Sequence, residues 1–137
     1  MKEFIITAAA LGGAAIAAAL GGWDAALQTL VMFMAIDYIT GLVLAGVFKQ
    51  SKKSESGRLS SKSSFEGLAK KGMQLLIVLI AFRLDIIIEI DFARTAVILA
   101  FICNELISIT ENAALMGIPI PDKLKKAIDV LNGGGKK

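Results

Sequence analysis

Histidine is absent from this 137-residue sequence, cysteine occurs once, and charge is scarce. With no histidine and Cys103 alone, one chain lacks the usual ligand sets for zinc, haem or an iron–sulfur cluster. An internal disulfide framework is excluded for the same reason. Cys103 sits inside an apolar block and reads as a small lipid- or core-facing side chain. No serine has a histidine base to activate it, the glycines form no phosphate-binding loop ahead of a helix, and no acids pair in a soluble cleft. The sequence therefore points to no enzymatic chemistry and no cofactor.

Charged residues make up 20% of the chain, below the roughly 25% of a soluble domain. Hydrophobic residues make up 55%, and the mean hydropathy is +0.69. They lie in long blocks instead of alternating with polar residues, so the bilayer is their natural solvent. A spanning helix needs about 20 apolar residues, because about 30 Å of hydrocarbon is crossed at 1.5 Å per residue. Four segments come close: residues 4–21, rich in Ala and Gly, and residues 25–48, 67–90 and 92–116. The first begins like a secretory signal, with Lys2 ahead of an Ala-rich run. A new apolar block follows at once from Trp23, so the segment reads as a retained helix. The expected fold is all-α, an integral membrane protein with a four-helix transmembrane domain over residues 1–121 and a basic amphipathic tail over 122–137.

Basic residues cluster between the second and third segments. Residues 49–71 carry Lys49, Lys52, Lys53, Arg58, Lys62, Lys70 and Lys71 against Glu55 and Glu66, with seven serines among them. Ser63 and Glu66 have capping-box spacing for the third helix. Short basic loops stay cytoplasmic and set orientation, and these cations suit an anionic lipid surface. No aromatics interleave with them, which disfavours nucleic acid. With the loop over residues 49–66 inside, four spans bring Lys2, Lys123, Lys125, Lys126, Lys136 and Lys137 to the same side. Asp24, Glu89, Asp91 and Arg94 then fall in the outer turns. Both termini are expected in the cytoplasm. In the tail, Leu124, Ala127, Ile128 and Leu131 follow i, i+3, i+4, i+7 spacing, the pattern of a short amphipathic helix on the inner leaflet.

Polar groups inside the apolar blocks are the candidates for function. On a helical wheel Asn104, Glu105, Ser108, Glu111 and Asn112 fall within an arc of about 120°. Such groups face other helices or water rather than lipid. They either hold the bundle together by interhelical hydrogen bonds or line an aqueous lesion. Asp37, near the middle of the second span, reaches a similar depth to Glu105, and two carboxylates there pair only if one is protonated. Arg83 needs an acid from another helix or subunit, because Asp85 points to the opposite side of its own helix. The small residues Gly13, Ala17 and Gly21 form a stripe suited to close helix packing and self-association.

The stretch Met34-Ala-Ile-Asp37-Tyr-Ile-Thr40-Gly41 resembles the second-span signature of the phage lysis and toxin-secretion holins, of the Cp-1 and clostridial toxin-export type. The linker with Ser61, Gly67 and Lys70-Lys71 is similar to that family's linker. The most specific match is Asn104-Glu105-Leu-Ile-Ser108-Ile-Thr-Glu111-Asn112, followed by Gly117, Pro119 and Pro121 ahead of Leu124. The resemblance covers about residues 30 to 131. It implies a non-enzymatic homo-oligomer, multi-pass in the bacterial host's cytoplasmic membrane. Such an oligomer opens lesions that release an endolysin or a large toxin. Periodicity by itself gives only a polar stripe and packing surfaces. A small ion or proton channel or transporter subunit using Asp37 and Glu105, an antiholin-type regulator, and an adaptor binding a partner through the basic loop fit the same residues.

Overall fold

The computed structural model describes residues 1–133 except Lys52 and Glu55. Lys136 and Lys137, expected among the cytoplasmic cations, lie outside the described residues, as does Lys52. The described chain is helical without strands. Helix α1 spans Lys2–Ala19 and α2 spans Ala25–Val43, continued by a π-helical turn over Leu44–Phe48. Helix α3 spans Ser61–Ile88, α4 spans Ala93–Leu115 and α5 spans Asp122–Leu131.

Local chemistry fixes these boundaries. Asp24 starts α2, its carboxylate accepting from the Leu27 N–H at 3.0 Å. Ser60 starts α3 by accepting from Ser63 N. The cap is therefore Ser60, three residues ahead of the expected Ser63–Glu66 box, and α3 begins at Ser61, before the apolar span expected from residue 67. Lys49 and Glu89 close the π-turn and α3 in the left-handed region, at φ 56° and 62°. Pro119 and Pro121 separate α4 from α5, as Pro cannot continue a helix.

Helices α2, α3 and α4 form a bundle in which α3 runs antiparallel to both neighbours, since Asp24, Asp85 and Arg94 meet at one end and Asp37, Lys71 and Glu105 meet further along. Its dry centre is Leu20, Leu27, Leu30, Met34, Val78, Ile98 and Ile102. On α2 the buried positions 27, 30, 34 and 37 recur at helical spacing, so one face supplies three apolar residues and then Asp37. The outward surface is apolar, with Met32, Ile39, Leu76, Ile80 and Ile87 exposed. Greasy outside and charged inside is the reverse of a soluble bundle, and it marks a membrane-embedded protein. Helix α1 buries none of its residues against the rest of the chain.

Of the four expected spans, three described helices have the length and composition to cross a membrane: Lys2–Ala19, Ala25–Phe48 and Ala93–Leu115. Helix α3 does not. It is long enough at 28 residues, but Lys62, Glu66, Lys70, Lys71, Arg83 and Asp85 leave only the stretch from Gly72 to Phe82 free of charge. Its dense apolar centre is shorter than a bilayer requires.

Candidate functional site

The bundle holds two charged clusters at different heights. The first lies at the end where α2 and α4 begin and α3 finishes. Arg94, buried at the start of α4, donates to the Leu20 and Gly22 carbonyls and to both Asp24 oxygens, at 2.8 and 3.2 Å. Asp85 accepts from the backbone N–H groups of Ala93 and Arg94 at 2.9 and 3.0 Å, which caps α4. The hydrogen bond from Arg94 holds the Asp24 carboxyl below the usual carboxylate range. Gly21 follows the end of α1 at φ 98°, and a Cβ there would run into the Arg94 and Phe82 side chains. Gly21 therefore serves the turn and is no part of a packing stripe along α1. Gly13 faces open space and Ala17 is half-buried.

The second cluster is a polar layer below the apolar centre. Lys71, from α3, donates from Nζ to Asp37 Oδ2 of α2 at 2.7 Å and to Glu105 Oε1 of α4 at 2.8 Å. The other Asp37 oxygen accepts from Ser108 at 2.6 Å and from Asn112 at 3.2 Å. Asn112 also donates to Thr40 at 2.9 Å. Asp37 and Glu105 are 3% and 4% exposed, so these contacts replace water almost completely. The two acids at one depth do meet. An ammonium, rather than a shared proton alone, brings them together.

The arc on α4 divides. Glu105, Ser108 and Asn112 turn into the bundle and find partners within the single chain, whereas Asn104 and Glu111 are exposed. Arg83 is exposed and forms no ion pair among the described residues. Lys49, Lys53, Arg58, Lys62 and Lys70 are exposed at the end where α2 finishes and α3 begins. Helix α5, with Lys123, Lys125 and Lys126, packs against α4 through Ile128. Sequence reasoning missed Lys71 and Arg94, the two cations that organise the interior. Lys71 reads as the last of a basic run and Arg94 as a turn charge.

A cavity of about 410 Å³ leads from Lys53, Ser63 and Glu66 on the loop side to Asp37, Lys71 and Glu105. No group of three His, Cys, Asp or Glu residues with metal-binding geometry occurs among the described residues.

Matching against known proteins decides the family. The bacteriophage holin family model matches residues 14–133. The chain belongs to the bacteriophage holin family. In Clostridium perfringens, the "Uncharacterized 14.9 kDa protein in nagH 3'region" is 40% identical over 82% of this chain and 80% of its own length. Protein BH0965 of Halalkalibacterium halodurans is 36% identical over the full length of both chains. The "Probable holin" of Bacillus phage phi105 is 33% identical over 77% of this chain and 73% of its own. No solved structure matches the chain. The polar layer lies within the matched residues, as do the three bundle helices that form it.

Proposed function

We propose that this holin-family chain assembles with copies of itself in a bacterial cytoplasmic membrane and opens lesions wide enough for a folded protein. The cargo is an endolysin or an exported toxin. The observation that carries this reading is the division of the α4 arc. Glu105, Ser108 and Asn112 are satisfied inside the chain, while Asn104, midway along an apolar helix, faces outward. An exposed amide at that depth favours a neighbouring subunit over lipid. Helix α1, unburied by its own chain, supplies a second surface for assembly.

In this reading α3 crosses the membrane as a passenger of α2 and α4, because Asp37 and Glu105 neutralise Lys71 only while the three helices are packed. Opening the bundle turns the polar layer toward water and makes it part of a lesion wall. The loop end carries Lys49, Lys53, Arg58, Lys62 and Lys70, whereas the opposite end carries only Arg83 and Arg94 as cations, beside Asp24, Asp85, Glu89 and Asp91. This asymmetry supports a cytoplasmic loop. A crossing by α1 then puts both termini on that side.

Inducible expression of the chain alone in bacteria tests the reading, with membrane potential and release of a folded cytoplasmic reporter enzyme both followed. Abrupt depolarisation together with enzyme release is the expected result. Cells that stay energised at high expression would refute it. Depolarisation with the enzyme retained would favour an ion-conducting subunit, a reading to which the loop-side cavity at Asp37 and Glu105 lends support. Asn104→Leu is expected to delay the event by weakening assembly, and unchanged timing would remove that surface from the mechanism.

A further inference from the structure

The polar layer contains two carboxylates and one ammonium, so with all three ionised one negative charge is left uncompensated in the interior. The two acids are not equivalent. Asp37 is saturated, with one oxygen accepting from Lys71 and the other from Ser108 and Asn112. Glu105 accepts through Oε1 from Lys71, and its second oxygen has no hydrogen bond among the described residues. One turn along α3 from Lys71, the side-chain oxygen of Gln74 is buried without any donor. Gln74 and Glu105 line the same cavity.

An excess negative charge and an acceptor without a donor are separate deficits, and one proton removes both. We propose that Glu105 is a proton-binding site, loaded from water in the loop-side cavity, whose protonated oxygen donates to Gln74. The O–H bond forms on the free Glu105 oxygen as one breaks in a hydronium ion, which leaves as water. A buried carboxyl with incomplete compensation takes a proton in preference to remaining charged. The charged groups around it are Asp37 from α2, Glu66, Lys70 and Lys71 from α3, and Lys53 from the loop. Lys71 then faces one carboxylate and one carboxylic acid, a neutral layer. Loss of the proton restores the repulsion between α2 and α4 and loosens the packing. Proton binding itself does not depend on lesion formation; only that consequence for opening rests on the function proposed above.

Infrared difference spectroscopy of the full chain in phosphatidylglycerol–phosphatidylethanolamine vesicles tests the site without any lysis measurement. At neutral pH the wild type should show a protonated-carboxyl C=O band that moves down in heavy water. Glu105→Gln should abolish that band. Gln74→Leu should keep it and move it up, because the acid loses its acceptor. Absence of the band at neutral pH, or its survival in Glu105→Gln, would overturn the proposal. So would a band that appears in N-methylglucamine buffer but vanishes in sodium buffer, which would identify a metal cation as the occupant. Circular dichroism of the same vesicles checks folding. Should Glu105→Gln lose its helices, the Gln74→Leu band position decides alone, and an unmoved band counts against the site.

Discussion

The two charged clusters of the bundle are answered in different ways. At the turn end, Arg94 is held by two backbone carbonyls and by Asp24, whose side chain is 52% exposed. Water can take over most of those contacts if the cation is lost. In the polar layer, Lys71, Asp37 and Glu105 are matched only by side chains from other helices, and the two acids are almost fully shielded. The first cluster therefore fixes turns, and the second makes the association of three helices conditional on its charge balance. A polar group that stabilises only one arrangement is a means of having two.

The comparison breaks most severely at Lys71. Lys71→Met removes the cation that Asp37 and Glu105 share, leaves Asp37 buried without its counter-charge, and should cost about 4 kcal/mol, the range for removing one partner of a buried ion pair. Thermal unfolding in detergent, followed by circular dichroism, should show a large loss. Lys70→Met, one residue away and exposed, should leave the midpoint nearly unchanged. Replacing Lys71, Asp37 and Glu105 together by Met, Asn and Gln should recover much of the loss, since no unpaired charge then remains. Equal effects at Lys70 and Lys71 would dismiss the layer as the organising feature.

Arg94→Met is expected to cost less, about 2 kcal/mol, because the abandoned carbonyls sit near the exposed Asp24 and can be hydrated. Arg94→Lys should not rescue it, since one ammonium lacks the planar fork that reaches carbonyl and carboxylate groups together. Gly21→Ala tests the same end by forcing a Cβ into the Arg94 side chain at positive φ. All three should raise hydrogen exchange in residues 20–24 more than in the polar layer. Uniform loosening throughout the bundle would erase the distinction between the two clusters.

The two cations also show what was legible in the sequence. The apolar blocks located α1, α2 and α4 to within a few residues, because hydrocarbon thickness imposes a length that composition displays directly. Helix α3 was misjudged in both composition and start. Lys71 closes a run of basic residues in the sequence and so reads as a loop cation at the membrane edge, whether the helix is capped by Ser63 or by Ser60. Extended from Ser60, the register places Lys71, Gln74, Val78, Ala81 and Asp85 along one face, a signal that was available. Arg94 offered no such signal. Its partners Leu20 and Gly22 lie more than seventy residues earlier, and nothing in local spacing records a backbone carbonyl waiting for a donor. The polar arc of α4 is visible in the sequence, but its division into buried Glu105 and Asn112 and exposed Asn104 and Glu111 depends on the rotation of α4 against α2, which only packing determines.

Within the polar layer, Ser108→Ala should cost about 1 kcal/mol, the size of one hydrogen bond to a buried acceptor. Asp37 would keep Lys71 and Asn112. The unfolding midpoint in detergent should fall by a small, measurable amount, well short of Lys71→Met. A loss as large as that of the lysine would mean that hydroxyl packing, not charge balance, holds the helices together.

The smallest effect belongs to Asp24 and is seen as a pH dependence. Arg94 lowers its carboxyl below the ordinary 3.8, so the folded state favours the ionised form. The resulting stability is present in full above that ordinary value and is lost as pH falls through the lower folded value. Exposure and screening keep the contribution small. Asp24→Asn retains an N-cap for α2 but removes the charge that Arg94 meets. Exchange of the Leu27 amide should therefore accelerate in the wild type below about pH 4 and respond less in Asp24→Asn. Other carboxylates act on both proteins and cancel in the difference. Identical acid slopes would mean that Arg94 is held by the Leu20 and Gly22 carbonyls alone, leaving the turn end with no charge pair to compare with the layer.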